Sequence, residues 1–302
     1  MNCQARDSTH PSLGKEPPLV SIIVPTFNRG PCLERCLRSI LDQTYRRLEC
    51  LVMDGGSKDD SVALLERLAA ADSRLRFVSE PDQGEVYATN KGLDLARGDI
   101  VGIQASDDYY VADALEKSVR FLLAHPEYIG VGADQLFVDP SGKSLGRGAI
   151  TYRGGLSPER LKSILIFRYF VSPVIHGTFF GWRERLARHG KFDPQFSVCP
   201  DTEFYFRLIA GGERIGFLPR VHTCYTLHPD MGAMKHYHKV REQLDRLYAR
   251  HGLRWYHHLL RVTLGRAATY LGNPMRTPLV PGLVREFREF WTMRARKRAG
   301  RA

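Results

Sequence analysis

The chain has 302 residues, 43% of them hydrophobic and 25% charged, enough for one large domain with an appendage. Its net charge of +11 is uneven: residues 1–150 hold 17 Lys/Arg against 22 Asp/Glu, whereas residues 151–302 hold 27 against 11. No apolar run reaches the roughly 18 to 20 residues that cross a bilayer, no signal-peptide core stands near the start, and the six cysteines lack paired zinc spacing. A cytoplasmic protein with reduced thiols is expected.

Residues 1–17 lack apolar periodicity and read as a disordered tail. Apolar, β-rich runs then begin near Val20, Leu48, Leu75 and Asp99, spaced by 28, 27 and 24 positions. One strand plus one helix fills each interval. The run Leu-Val-Ser-Ile-Ile-Val over 19–24 is apolar enough for a strand covered on both faces, and 48–53 and 100–103 read similarly. Between them Leu33, Leu37, Ile40 and Leu41 recur at helical spacing, as do Val62, Leu65 and Leu68 and, less regularly, Ala88, Leu93 and Leu95. The prediction is an α/β fold with a mostly parallel central sheet flanked by helices.

Ligands of such sheets collect at the carboxyl ends of the strands. The loops there are Pro25-Thr26-Phe27-Asn28-Arg29, Asp54-Gly55-Gly56-Ser57, Pro81-Asp82-Gln83-Gly84 and Ser106-Asp107-Asp108, and three of the four carry a carboxylate. A dinucleotide-binding dehydrogenase would use an acid such as Asp54 for ribose, but its phosphates need G-x-G-x-x-G after the first strand. Here that loop begins with a proline and has no glycine before Gly30. A P-loop is absent too. Without backbone amides to cradle phosphate, a divalent cation is the alternative, and the hard oxygens of Asp107 and Asp108 suit magnesium or manganese. Helix capping is the competing use of those acids, but Asp113-Ala114-Leu115-Glu116 offers the next helix its own capping box. For Asp54, the competing use is an Asx-type turn over Gly55, Gly56 and Ser57.

With these residues in place the chain resembles the family 2 glycosyltransferases of the GT-A nucleotide-diphospho-sugar transferase fold, over residues 19–228. The likeness rests on Val20-Ser21-Ile22-Ile23-Val24-Pro25-Thr26-Phe27-Asn28, on Met53-Asp54-Gly55-Gly56-Ser57 with Asp59-Asp60-Ser61, on Asn90-Lys91-Gly92 with Ala96-Arg97-Gly98-Asp99, and on Ser106-Asp107-Asp108, in that order. The resemblance implies that Pro25, Phe27, Asp54, Lys91 and Asp107 serve the donor nucleotide. It also implies that Asp107 and Asp108 form the metal-binding acidic motif. Asp201, opening a helix over Phe204, Leu208 and Ile209 that ends at Gly211-Gly212, resembles the catalytic base; the family's usual preceding acid is replaced by Pro200. His228, after a strand over 215–227 interrupted by Pro219, resembles the histidine that completes the metal shell. His176, Trp182 and Glu203 are the acceptor-side candidates, together with Arg168 and Tyr169. The implied activity is metal-dependent, inverting transfer of a sugar from a UDP-, GDP- or dTDP-linked donor to the hydroxyl of a saccharide or lipid-linked acceptor, in polysaccharide or glycolipid synthesis.

Three segments are expected: the 1–17 tail, a catalytic domain over 18–230, and a basic, helical C-terminal extension over 231–302. The extension holds a helix over 233–251 and then a stripe of Leu283, Val284, Phe287, Phe290 and Trp291 before Arg294, Arg296, Lys297, Arg298 and Arg301. Such a helix either lies on an anionic membrane surface or packs its stripe on the domain. A nucleic-acid-binding protein would explain a pI near 9.5 but not carboxylates gathered at one sheet edge, which repel phosphate. No nucleic-acid partner is expected. Nucleotidyl transfer would share the metal and the nucleotide pocket but release pyrophosphate.

Overall fold

The computed structural model describes residues 16–148, 157, 176–228 and 237–251. The tail over 1–15, Arg168, Tyr169 and the stripe from Leu283 to Trp291 lie outside the described residues.

Strands β1 (Val20–Thr26), β2 (Leu48–Asp54), β3 (Leu75–Ser79) and β4 (Ile100–Ile103) alternate with helices α1 (Gly30–Leu41), α2 (Ser61–Ala71) and α3 (Glu85–Leu95). The four run parallel in the order β3-β2-β1-β4. β5 (Tyr109–Tyr110), α4 (Ala114–Ala124), β6 (Gly130–Val138), β7 (Ser144–Gly148), β8 (Phe180–Trp182), α5 (Arg183–Ala187), α6 (Pro200–Ala210), β9 (Ile215–Thr226) and α7 (Tyr237–Arg250) follow. The sheet continues from β4 through β8, β6 and β9 to β5, with β7 hanging on β6. β8 is antiparallel to both neighbours, while β6 and β9 pair in parallel. Six strands thus point one way, in keeping with the expected mostly parallel sheet.

Side chains alternate across a strand, so each strand feeds two cores. Val20, Ile22 and Val24 join Leu33, Leu37, Ile40, Leu65, Leu115 and Trp182 on one face. Ile23, Leu51 and Met53 join Val86, Phe204, Leu208, Ile209, Leu244 and Leu247 on the other. Leu244 and Leu247 bring α7 into that second core. α3 lies close across β1 and β2 because it carries Gly92 there: a Cβ at this position would sit 2.4 Å from Ile23 Cγ2. A larger residue would lift α3, and the residue at its start, off the sheet.

Two local expectations are corrected. Asp113 makes no side-chain cap bond; it pairs instead with Lys117, while Glu116 accepts from Thr44 at 2.7 Å and pairs with Arg120. Basic partners at i+4 outcompete the first-turn amides here. Pro219 does not interrupt β9 either: the register slips from Ala133↔Leu218 to Asp134↔Val221 and Gln135↔Thr223, so bulges absorb it. The continuous strand delivers Thr226 beside Val138 and carries the chain to His228.

Candidate active site

The carboxyl ends of β1, β2, β3 and β4 form one edge, and three loops there are stitched together. Asn28, in the left-handed region with φ of 52°, donates from its amide to Ser57 Oγ at 2.7 Å and accepts from the Lys58 amide at 2.8 Å. An Asn tolerates this conformation because its short amide bonds locally. Asp54 is buried and accepts from the Gly56 and Ser57 amides at 3.2 and 3.0 Å, from Ser57 Oγ at 2.5 Å and from Ser79 Oγ at 2.7 Å. Its carboxylate therefore forms the Asx-type turn and ties β2 to β3. Pro25 is buried within β1, whereas Phe27 stands 57% exposed on the loop that follows.

β4 ends at Ile103, and the chain turns through Ser106, Asp107 and Asp108 into β5, which pairs antiparallel with β9 through Tyr109↔Cys224. That pairing brings together residues over a hundred positions apart. His228 Nε2 lies 2.9 Å from Asp107 Oδ2, and the Thr226 amide donates to Asp108 Oδ1 at 2.8 Å. Arg29 Nη2 stands 3.9 Å from Asp107 Oδ2. Burial holds the Asp108 carboxyl well above the usual range, and the neighbouring Asp107 charge adds to this. A cation would relieve both effects.

The donor set fits a magnesium or manganese ion held in part by the protein. Asp107 and Asp108 bring hard carboxylate oxygens and His228 an imidazole nitrogen, the donor types these ions accept, with His228 already against Asp107 at 2.9 Å. Among the described residues no group of three or more His, Cys, Asp and Glu is arranged to hold an ion. An edge of two ligands, with phosphate oxygens and water filling the remaining positions, is how magnesium commonly binds beside a nucleotide.

The opposite wall comes from α6 and α3. Asp201 lies in the first turn of α6, half-buried, with Thr202 Oγ1 3.4 Å from its Oδ1. Glu85 opens α3. Its carboxyl is pushed up to about 7, first by the surrounding protein and then by the charges of Asp201 and Asp107. Glu85 nevertheless exposes surface to solvent. The hydroxyl of Tyr225, in β9, is raised by burial and then by Asp108, Asp107, Asp201 and Glu85. The charges of all four carboxylates thus act on that hydroxyl in the same direction.

β8 sorts the acceptor-side candidates. Because it runs antiparallel to β4, its leading end reaches the loop edge and its trailing end the far edge. His176, in a single 3-10 turn before β8, reaches Tyr205 Oη with Nδ1 at 3.2 Å. Tyr205 stands four residues after Asp201, on the same face of α6. Burial lowers the His176 pKa and Asp201 opposes that shift. Trp182 pairs with Ile100, the first residue of β4, and is buried in the α1–α2–α4 core. It is a packing residue at the end of the sheet away from Asp107. Glu203 is also withdrawn from the acceptor side: Arg207 grips it with Nε at 3.0 Å and Nη2 at 2.8 Å, and Arg250 lies 3.8 Å away. Lys91 is engaged by Glu80, beyond the end of β3. Its neighbour Asn90 donates to the Phe192 carbonyl at 2.9 Å and accepts its amide at 3.0 Å, and Phe192 stacks on Phe204 of α6 at 4.4 Å. The Asn90-Lys91-Gly92 motif thus places the helix that bears Asp201.

Sequence reasoning assigned no role to Glu85, Arg29 or Tyr225. Arg29 adjoins the first loop and was legible by position, but Glu85 and Tyr225 become site residues only through the packing of α3 and β9.

The family model described as glycosyl transferase family 2 matches residues 21–190, more than half of the chain. Among curated proteins, a chondroitin synthase of Escherichia coli is 29% identical over 245 residues, covering 77% of this chain and 34% of its own length. A hyaluronan synthase of Pasteurella multocida is 30% identical over 179 residues, covering 58% of this chain and 18% of its own. The chain thus spans about a third or less of these two relatives. Among solved structures, TarS of Staphylococcus aureus in complex with UDP-GlcNAc superposes with a TM-score of 0.62 at 18% identity, over 86% of this chain and 76% of that one. A mannosyltransferase of Pyrobaculum calidifontis in complex with GDP-Man and Mn2+ gives 0.53 at 22% identity, over 90% and 84%. The sheet order, the loop edge and these superpositions describe a GT-A fold, and the chain belongs to glycosyl transferase family 2.

Proposed function

We propose that the protein transfers a sugar from a nucleoside-diphosphate donor to an acceptor hydroxyl with inversion, using a divalent cation, in the synthesis of a polysaccharide or glycolipid. The observation that carries this reading is the meeting of Asp107 with His228 at 2.9 Å and of Asp108 with the Thr226 amide at 2.8 Å, with Arg29 3.9 Å from Asp107, at the carboxyl edge of the parallel strands. It is supported by relatives named as polysaccharide synthases and by neighbours solved with UDP-GlcNAc and GDP-Man.

Phe27 offers an exposed aromatic face for the base, on a loop held in place by Asn28, Ser57 and Asp54. Arg29 stands at the cleft near Asp107, placed to meet a phosphate oxygen. Asp107 and His228 would hold the cation with Asp108 beside them. When bound, that ion acts as a Lewis acid on the departing diphosphate. Asp201 accepts the proton of the attacking hydroxyl, which is nearly neutral at physiological pH and needs a base within hydrogen-bond reach. A single base opposite the leaving group gives in-line displacement and inversion, with no covalent sugar intermediate. His176, kept neutral by burial, lines the acceptor side through Tyr205.

A donor screen tests the reading. The full chain with MnCl2 and UDP-, GDP- or dTDP-linked sugars should release the nucleoside diphosphate with one of them when a saccharide or lipid-linked acceptor is present. Release of pyrophosphate instead would reassign the site to nucleotidyl transfer.

The basic extension is proposed to bring the enzyme to anionic lipid as a peripheral protein, its supports being the charge excess and the aromatic stripe over 283–301. Among the described residues no helix is long and apolar enough to cross a membrane. Deleting 283–302 should abolish sedimentation with phosphatidylserine vesicles, and unchanged sedimentation would remove the idea.

A further inference from the structure

Arg35 stands on α1, remote in sequence from every acid of the site, yet its guanidinium is fixed on three sides. One nitrogen, Nη1, donates to the Pro140 carbonyl at 3.3 Å, in the turn between β6 and β7. The other, Nη2, donates to Thr226 Oγ1 at 3.2 Å, at the end of β9. Its Cζ lies over the ring of Tyr109, the residue that follows Asp108, 4.4 Å from the centroid. The turn closes on it at Gly142, where a Cβ would come within 3.8 Å of Nη1 and 3.5 Å of Tyr109 Oη. The Thr226 amide in turn donates to Asp108 Oδ1 at 2.8 Å. A chain of contacts therefore runs from α1 through Thr226 to one oxygen of the acidic motif, and a second runs through Tyr109 to the same residue's backbone.

We propose that Arg35 is a positioning residue for the cation site: it clamps Thr226 and Tyr109 so that Asp108 is held beside Asp107 in the orientation a divalent ion requires. The inference rests on the reading of Asp107, Asp108 and His228 together as the cation site. The planar fork matters as much as the charge, because both donors are used at once while Cζ sits over the ring. A lysine has the charge without that geometry. Arg35 makes no hydrogen bond to Asp108; beside the contacts through Thr226 and Tyr109, its charge favours the ionised Asp108 carboxyl across space, an effect that Arg35→Lys keeps and Arg35→Met removes.

The test is Mn2+ affinity of the full chain, read from the electron-paramagnetic-resonance signal of free Mn2+ during titration with MnCl2, with and without UDP. Thermal midpoints in EDTA are measured alongside. Asp108→Asn checks the underlying reading: unchanged Mn2+ affinity in that variant removes the cation site itself. If Asp108→Asn weakens binding, Arg35→Met is expected to raise the Mn2+ dissociation constant by about tenfold, as loss of an outer-shell partner does. Arg35→Lys should fall between Arg35→Met and the parent. Thr226→Val, which deletes only the hydroxyl and keeps the amide on Asp108, should weaken binding by a smaller factor, and the double variant Arg35→Met/Thr226→Val should bind no worse than Arg35→Met alone. Parent-like affinity in Arg35→Met with a lowered thermal midpoint would overturn the proposal and leave Arg35 a packing residue. Additive losses in the double variant would overturn the route through Thr226. If Arg35→Met does not fold, Arg35→Lys and Thr226→Val decide the matter on the same readout.

Discussion

His228 and Asp107 are 121 positions apart in the chain and 2.9 Å apart in the fold. The antiparallel pairing of β5 with β9 produces this contact: Tyr109 lies opposite Cys224, so Asp107, just before β5, and His228, just after β9, come to the same edge.

His228→Ala should therefore weaken Mn2+ binding by at least about tenfold and raise the Mn2+ concentration that half-activates the enzyme by a similar factor. Titration of nucleoside-diphosphate release against MnCl2 measures it. Equal half-activation in parent and variant would take His228 out of the shell.

Asp201→Asn keeps the size of the side chain and removes its basicity. Turnover should fall by a factor on the order of 10² to 10⁴, the usual worth of a general base, while donor affinity measured by calorimetry stays within about twofold. Retained turnover would move the base elsewhere in the cleft.

Glu85 gives the folded chain a pH dependence. Its carboxyl titrates near 4.5 in the unfolded chain and is raised to about 7 in the fold. Between those values the folded state binds more protons than the unfolded one, so stability falls as pH rises across the window. Melting of the parent and of Glu85→Gln in EDTA from pH 4.5 to 8 should show the parent losing more stability up to pH 7 and the variant less. Parallel curves would rule out the raised Glu85 carboxyl.

His222 acts with the opposite sign. It is fully buried, its Nε2 has no hydrogen-bond partner, and burial lowers its pKa from 6.5 to about 4. The unfolded chain takes up the proton first, so stability is full above pH 6.5 and is lost as pH falls toward 4, by up to about 3 kcal/mol. His222→Phe, which packs against the ring of Phe180, should lose less over that range in chemical denaturation.

The parallel half of the fold was legible because its signal is local. Val20, Leu48 and Leu75 each begin a strand, and Leu33, Leu37 and Ile40 are all fully buried on α1. The acids after β4 were legible from strand order, whereas helix punctuation placed Asp201 at the head of α6 and only the family resemblance singled it out. Trp182 and Glu203 misled because residue type does not report direction: an antiparallel β8 carries Trp182 to the far edge, and an arginine one turn on captures Glu203. Glu85 gave no signal at all, since what makes it a site residue is the approach of α3 to β1 at Gly92. The capping box at Asp113 failed for a similar reason, Lys117 and Thr44 being better partners than free amides.

The seam between the loops after β1 and β2 constrains any change of nucleotide preference. Asn28 lends an oxygen to the Lys58 amide, Ser57 shares its hydroxyl with Asn28 and Asp54, and Gly30 rests on Asp59 at 3.1 Å. Residues 25–30 and 54–61 behave mechanically as a single plate. Swapping one segment from a homologue without the other would leave mismatched halves, so grafts that alter base selectivity should succeed only when both are exchanged together.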